Sequence, residues 1–287
     1  MIVIEIFGHN SPCIILNYNT CSQYNTKKYK MHITSTQNPQ IKYIVKLRDN
    51  KQQRQRDQLM LVEGWDEINL ALSSGYQPHT LLNAPELASR QIENVRAEII
   101  TVNRVVFEKI SYRENPDGWL AIFPFLKFSL GDLKLNDSPL LIVAESIEKP
   151  GNLGAILRTA DAAGVDALLV CDPRVDLYNP NVVRASRGAL FAIPCVEVSN
   201  ESALEFLRKR KIKIVAAAPH AQMEYTHQDL RGPLAVAVGT EDKGLTDFWL
   251  QQSDVKVKIP MVGNVNSLNV SIATALVVYE AVRQRSA

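Results

Sequence analysis

Hydrophobic positions along this chain change their rhythm near its middle. After Asn38, the residues Ile41, Ile44, Val45 and Leu47 share one helical face. Pro39 opens that helix, where its missing N–H would have had no intrahelical partner. Leu59-Met-Leu-Val-Glu63 reads as a buried strand, and Glu67 to Leu72 as a helix stopped at Ser73-Ser-Gly75. Strands are expected at His79–Leu82, Glu98–Val102 and Leu120–Phe123, with helices between them. Residues 32–125 thus predict a small α/β domain, and residues 126–138, where turn formers break up isolated apolar residues, read as a linker.

From residue 139 to 287 the pattern is different. Leu140–Ala144, Ala167–Val170, Ile212–Ala217, Leu234–Val238 and Val255–Ile259 are mainly apolar runs of strand length, interrupted only by Lys213, Lys256 and Lys258. Strands covered on both faces have this character, which predicts a mainly parallel sheet. Helical stretches at Asn152–Gly164, Glu201–Lys209 and Leu268–Arg283 alternate with them, so helices are expected on both faces. The last of these is apolar on most sides, as a helix buried against more than one surface would be.

Composition narrows the picture only slightly. The chain has 46% hydrophobic and 22% charged residues and a net charge of +2, so any nucleic-acid footprint must be local. No run approaches the ~18 apolar residues a membrane span needs. Cys13, Cys21, Cys171 and Cys195 lack metal-site spacing, and the scattered histidines have no ligand-spaced partner, so no metal is expected. Free thiols in a reducing cytosol are the expected state. Met1-Ile-Val-Ile-Glu-Ile-Phe7 is apolar but too short, and too poor in basic residues, for a secretory signal. Residues 1–31 are read as an extension of doubtful order, with Met31 as a candidate start.

Three polar or glycine-rich loops, each following an apolar strand, carry the candidate chemistry. They are Pro150-Gly-Asn-Leu-Gly-Ala-Ile-Leu-Arg-Thr-Ala160, Val238-Gly-Thr-Glu-Asp-Lys-Gly-Leu245 and Ile259-Pro-Met-Val-Gly-Asn-Val-Asn-Ser-Leu-Asn-Val-Ser271. Loops at strand ends in an α/β sheet are where such folds bind ligands. By itself Asn152 reads equally as a helix cap, and Ser267 and Asn269 as caps of the last helix. Gly154 marks a place where a backbone or a ligand comes close, and Gly239 to Gly244 reads equally as a plain turn before the helix at Leu245.

Together these residues resemble the three motifs of the SpoU/TrmH family of RNA ribose 2′-O-methyltransferases, Asn-x-Gly-x-x-x-Arg-Thr, Gly-x-Glu-x-x-Gly-Leu and Ile-Pro-Met-x-Gly-x-x-x-Ser-Leu-Asn-Val. Asp242 departs from the pattern, standing where relatives often have glycine. The resemblance implies a trefoil-knotted domain, S-adenosyl-L-methionine as cofactor, and a homodimer formed through the last helix. It assigns Arg158, Asn152, Glu241, Ser267 and Asn269 to the catalytic region, and Gly239, Ile259, Met261 and Leu268 to the cofactor. For Arg158, phosphate orientation fits guanidinium chemistry better than proton abstraction, which stays open.

The opening Asn38-Pro-x-Ile-Lys42 and Val62-Glu-Gly64 resemble the ribosomal-protein-like substrate-binding domain of several SpoU-family rRNA enzymes. Lys42, Lys46, Arg48, Arg54 and Arg56 form a phosphate-binding footprint there, and Tyr43 or Trp65 can stack on a base. Arg174, Arg184 and Arg187 extend the basic surface. Ribosomal RNA is the expected substrate. A tRNA 2′-O-methyltransferase and a non-catalytic ribosome-assembly factor on the same fold remain alternatives.

Overall fold

The computed structural model describes residues 31–286, so the expectations for the first 30 residues lie outside the described residues. The chain begins with five strands, β1 (Met31–Ile33), β2 (Leu59–Glu63), β3 (Thr80–Asn83), β4 (Glu98–Val102) and β5 (Trp119–Pro124). They form one mixed sheet in the order β1-β4-β3-β5-β2. Helices α1 (Pro39–Asp49), α2 (Lys51–Asp57), α3 (Trp65–Ser73) and α4 (Arg104–Ile110) accompany it.

The strict alternation of strand side chains decides what each face covers. Leu61, Leu120 and Ile122 join Ile41, Ile44, Leu47, Val106 and Phe107 in one core. Met60, Val62, Ala121 and Phe123 face the other way, onto Ile68 of α3. That second cluster continues without a break into residues beyond 140, through Val182 and Phe191. Phe191 packs its ring 5.1 Å from Phe123 and 5.6 Å from Tyr76. Residues 31 onward accordingly form one compact unit. The stretch between the two sheets is pinned by buried Leu126 and Leu133 and by reciprocal Ser129–Asp132 hydrogen bonds.

One local expectation fails in this first half. No helix lies between β3 and β4. The indoles of Trp65 and Trp119 donate to the carbonyls of Gln91 (2.7 Å) and Arg90 (2.9 Å), which holds that segment open across the strand ends. Conversely, α2 forms where only charge was legible, because the Asn50 side chain caps it by accepting from Gln53 N at 3.0 Å.

The second sheet contains β6 (Leu140–Glu145), β7 (Ala167–Cys171), β8 (Cys195–Val198), β9 (Lys213–Ala217), β10 (Met223–Glu224), β11 (Leu234–Val238) and β12 (Val255–Lys258). Their order is β10-β12-β9-β11-β6-β7-β8, and every pairing is parallel. The helices are α5 (Pro150–Ala162), α6 (Pro180–Ser186), α7 (Asn200–Lys209), α8 (Asp247–Gln252) and α9 (Val270–Arg285). Side chains of α5, α6 and α9 share a core with Ile142, Ala144, Val236 and Val238 on one face. Those of α7 and α8 join Leu141, Val143, Ala235 and Ala237 on the other. Among the described residues, no helix is long and apolar enough to cross a membrane.

Gly154 serves this packing. A Cβ placed there would sit 2.8 Å from the carbonyl oxygen of Val182 and 2.5 Å from the Cβ of Ala185, so α6 lies directly on the α5 backbone. We expect Gly154→Ala to push the helices apart and to cost about 1–3 kcal/mol in chemical unfolding. An unchanged midpoint would show that the helices yield freely.

Candidate functional site at the strand-end crevice

β6 and β11 are neighbours, with Ala144 opposite Val238. β6 runs on into α5 on one face and β11 into α8 on the other. Loops that leave adjacent parallel strands in opposite directions open a crevice at the carboxyl ends, the usual ligand position in such sheets. The first two motif loops meet here. The third starts at Ile259, after β12, and returns across β9 to reach the same place.

Glu241 joins the three. Its carboxylate accepts from the amide of Asn152, from the amide of Asn269 (3.1 Å) and from the ammonium of Lys149. Asn269 also donates to Asn152 Oδ1 at 3.1 Å. Its own Oδ1 accepts from Ser271 N at 3.0 Å, so Asn269 caps α9 and ties the loops at once. Asn152 does not cap its helix. Lys149 is the capping residue and Pro150 opens the helix, which leaves the Asn152 side chain free to reach Glu241. The hollow beside this junction is small, about 40 Å³, and is lined in part by Ile147, Thr240 and Val270.

Gly239 is required by the loop itself, because an added Cβ would run into the backbone of Gly244 and Leu245. The N–H groups of Thr240 and Gly244 each donate to the other's carbonyl at 3.0 Å, closing the turn. Asp242 is exposed at its tip and leaves that closure intact. Ile259, Met261 and Leu268 are half-buried apolar residues flanking an exposed stretch. Among the described residues, 260–268 form no hydrogen bond with the rest of the chain, so their backbone donors and acceptors are available to a ligand's edge. Half-buried apolar walls beside free peptide groups suit an adenosine-bearing cofactor. Ser267 is exposed and makes no hydrogen bond among the described residues.

Sequence reading missed Glu145, the buried last residue of β6. It accepts from Thr246 N (2.8 Å), Thr246 Oγ1 (2.7 Å) and Asn200 Nδ2 (3.1 Å), fastening the second loop to the first strand. A lone carboxylate ending an unbroken apolar run was the available signal.

Arg158 stands apart from this junction. Six residues along a helix advance ~9 Å and turn the side chain to a different face, and the residue is exposed. It lines an open cleft of about 740 Å³ together with Tyr112, Arg113, Arg184 and Arg187.

The basic segment divides. Lys42 and Lys46 are exposed on α1, and Arg56 is exposed but paired with Asp57 at 2.9 Å. Arg54 is a correction. It is 2% exposed and its guanidinium is fully engaged with Asp176 and with the carbonyls of Leu47 and Arg48, so no phosphate can reach it. Arg48 is likewise turned inward, donating to the carbonyls of Lys109 (2.9 Å) and Ser111 (2.8 Å). Tyr43 donates its hydroxyl to Asp57 at 2.6 Å, and burial followed by that bond pushes its pKa up to about 12. Trp65 carries Arg90 over its ring at 4.7 Å.

Comparison with known proteins follows the same division. The SpoU rRNA Methylase family matches residues 139–279, and the MRM3-like substrate binding domain matches residues 38–121. A 23S rRNA (guanosine-2′-O-)-methyltransferase of Pseudomonas putida is 44% identical over 148 residues, 51% of this chain and 60% of that protein. The match thus spans about three fifths of that relative's length. A 23S rRNA (uridine(2479)-2′-O)-methyltransferase of Streptomyces viridochromogenes is 31% identical over 248 residues, 82% of this chain and 86% of that one. The crystal structure of the SpoU methyltransferase AviRb from Streptomyces viridochromogenes, in complex with AdoMet, superposes with a TM-score of 0.79. It is 28% identical and covers 87% of this chain and 99% of its own. With its motif loops gathered in one crevice and relatives matching along most of its length, the chain belongs to the SpoU rRNA methylase family.

Proposed function

We propose that this protein transfers a methyl group from S-adenosyl-L-methionine to a ribose 2′-hydroxyl of large-subunit ribosomal RNA, acting as a cytoplasmic homodimer. The observation that carries this reading is the junction of Asn152, Glu241 and Asn269, which unites all three motif loops at one strand-end crevice. When bound, the cofactor supplies an electrophilic methyl on a sulfonium. Gly239, Ile259, Met261 and Leu268 hold it, by close backbone approach and by apolar contact. Glu241 keeps the loops in register, and Ser267 presents a free hydroxyl toward the reacting groups. Arg158 offers a planar fork to a phosphate beside the target sugar, which orients the 2′-oxygen. The trefoil threading is part of the same proposal.

The dimer rests on α9. Ile272, Leu276 and Tyr279 are 52%, 36% and 47% exposed, at helical spacing, although the helix is otherwise built for burial. Thr159, next to Arg158, lies in the same shallow groove. A second copy covering this face brings its own crevice toward Arg158. We therefore expect Leu276→Glu to sediment as a monomer and to lose methyl transfer together with the dimer. An active wild-type monomer in analytical ultracentrifugation would refute the assembly.

The function is tested with labelled cofactor and an in vitro large-subunit rRNA transcript, followed by ribose-methylation mapping. Cofactor binding without incorporation into any RNA would overturn it.

A further inference from the structure

We infer that the cleft between the two sheets, where the loop after α4 faces α6, holds a single-stranded stretch of the RNA, with one unpaired base stacked on Tyr112 and the neighbouring phosphates on Arg158 and Arg184. This rests on the RNA-methylation reading above and adds to it the shape of the substrate.

The cleft is lined by both halves of the molecule and carries four arginines. Their surroundings differ. Arg113 and Arg187 converge on the buried carboxylate of Glu67, at 2.7 and 3.5 Å. Glu67 offsets one of these two charges, Asp66 also faces Arg187 at 3.7 Å, and the direction of both guanidiniums is set. Arg158 and Arg184 have no carboxylate partner among the described residues, and both are exposed. Glu114 adds one acidic side chain to the rim. Two uncompensated guanidiniums in a cleft attract phosphate, and their forks bind it in a defined plane.

Tyr112 is the second observation. The residue is 46% exposed although its loop is rigidly held. Glu63 accepts from Ser111 Oγ (2.6 Å) and from Tyr112 N (2.8 Å), and Arg48 donates to Ser111 O (2.8 Å). The guanidinium of Arg184 lies over the ring, 5.6 Å from its centre. Arg184 also donates to Asn181 Oδ1 at 3.2 Å, which steadies it without neutralising its charge. An aromatic ring fixed in a cleft with arginines that lack carboxylate partners, with area left to the solvent, is a stacking platform. Such a platform reads a base only when that base is unstacked, so the substrate presents a loop or bulge here and not a continuous helix.

The test uses the full chain and fluorescence anisotropy with the tightest-binding stem-loop among in vitro fragments that tile the large-subunit rRNA. Tyr112→Ala is expected to weaken binding about tenfold, and Tyr112→Phe, which keeps the ring, to restore it. Arg184→Ala is expected to lower the slope of log Kd against log salt by about one. Cofactor affinity should not change in any of these surface variants. A blunt duplex of equal length should compete at least tenfold more weakly than the looped fragment (same stacking principle). If Tyr112→Ala and Arg184→Ala bind like the wild type, or the duplex competes equally, the inference falls while wild-type methyl transfer keeps the function. If no RNA is methylated but the variants still lose binding, the cleft stands and the methylation reading fails.

Discussion

Replacing Arg158 with alanine is expected to lower methyl transfer by about a hundred- to a thousandfold, the usual loss when one preorganised charged donor leaves an active site. The chain should remain folded. Arg158 is exposed, makes no ion pair or hydrogen bond among the described residues, and projects from a helix whose buried face is Leu153, Ile156, Leu157 and Ala160. Cofactor affinity should persist, because Gly239, Ile259 and Leu268 stand on loops around a different hollow of the same subunit. The informative measurement is single-turnover transfer to rRNA beside equilibrium cofactor binding. Arg158→Lys keeps the charge but not the planar fork, and an intermediate rate is expected from it. A rate within a few-fold of wild type for Arg158→Ala would remove the residue from the chemistry.

Removing Asp176 should produce the largest loss of stability, about 3–5 kcal/mol. Arg54 and Asp176 are 2% and 9% exposed, and both Nε (3.0 Å) and Nη2 (2.7 Å) of the arginine donate to one oxygen of Asp176. The other oxygen accepts from Tyr178 N at 3.1 Å. Asp176→Ala therefore strands a guanidinium in the seam between the two sheets and also frees a turn. Replacing both partners, as in Arg54→Met with Asp176→Leu, should cost less than the single change, since no charge is left uncompensated. Urea unfolding of the two variants decides it. A single variant within about 1 kcal/mol of wild type would mean that water reaches the guanidinium and the pair is not sealed.

The seam also explains which parts of the molecule were legible. The five apolar runs of the second half all became parallel strands. In β6, β7 and β11 every residue is buried, so burial on both faces is written directly into local composition, whereas β12, Val255-Lys-Val-Lys258, buries only Val257. β8, Cys195-Val-Glu-Val198, was not anticipated: it is a four-residue edge strand with one exposed carboxylate. β10, with two residues, carries no pattern at all. The motif loops were visible as polar interruptions, and Asn152, Glu241 and Asn269 do come together. Their junction depends on β6 and β11 being neighbours, which no spacing along the chain announces. The cluster of basic residues in α1 and α2 was visible too, but its meaning divided. Lys42 and Lys46 stayed at the surface, whereas Arg48 and Arg54 became internal supports.

The amino-acid order alone determined most of the strands and helices and the three chemically distinctive loops, since each depends on neighbours within a turn or a strand. Tertiary structure decided which charges are free. Arg54 is silenced by a carboxylate 122 positions away, Arg113 and Arg187 are held by Glu67, and Arg158 faces a different hollow from Asn152 on its own helix. A side chain's charge is a property of its residue type, but its availability depends on what the folded chain sets against it.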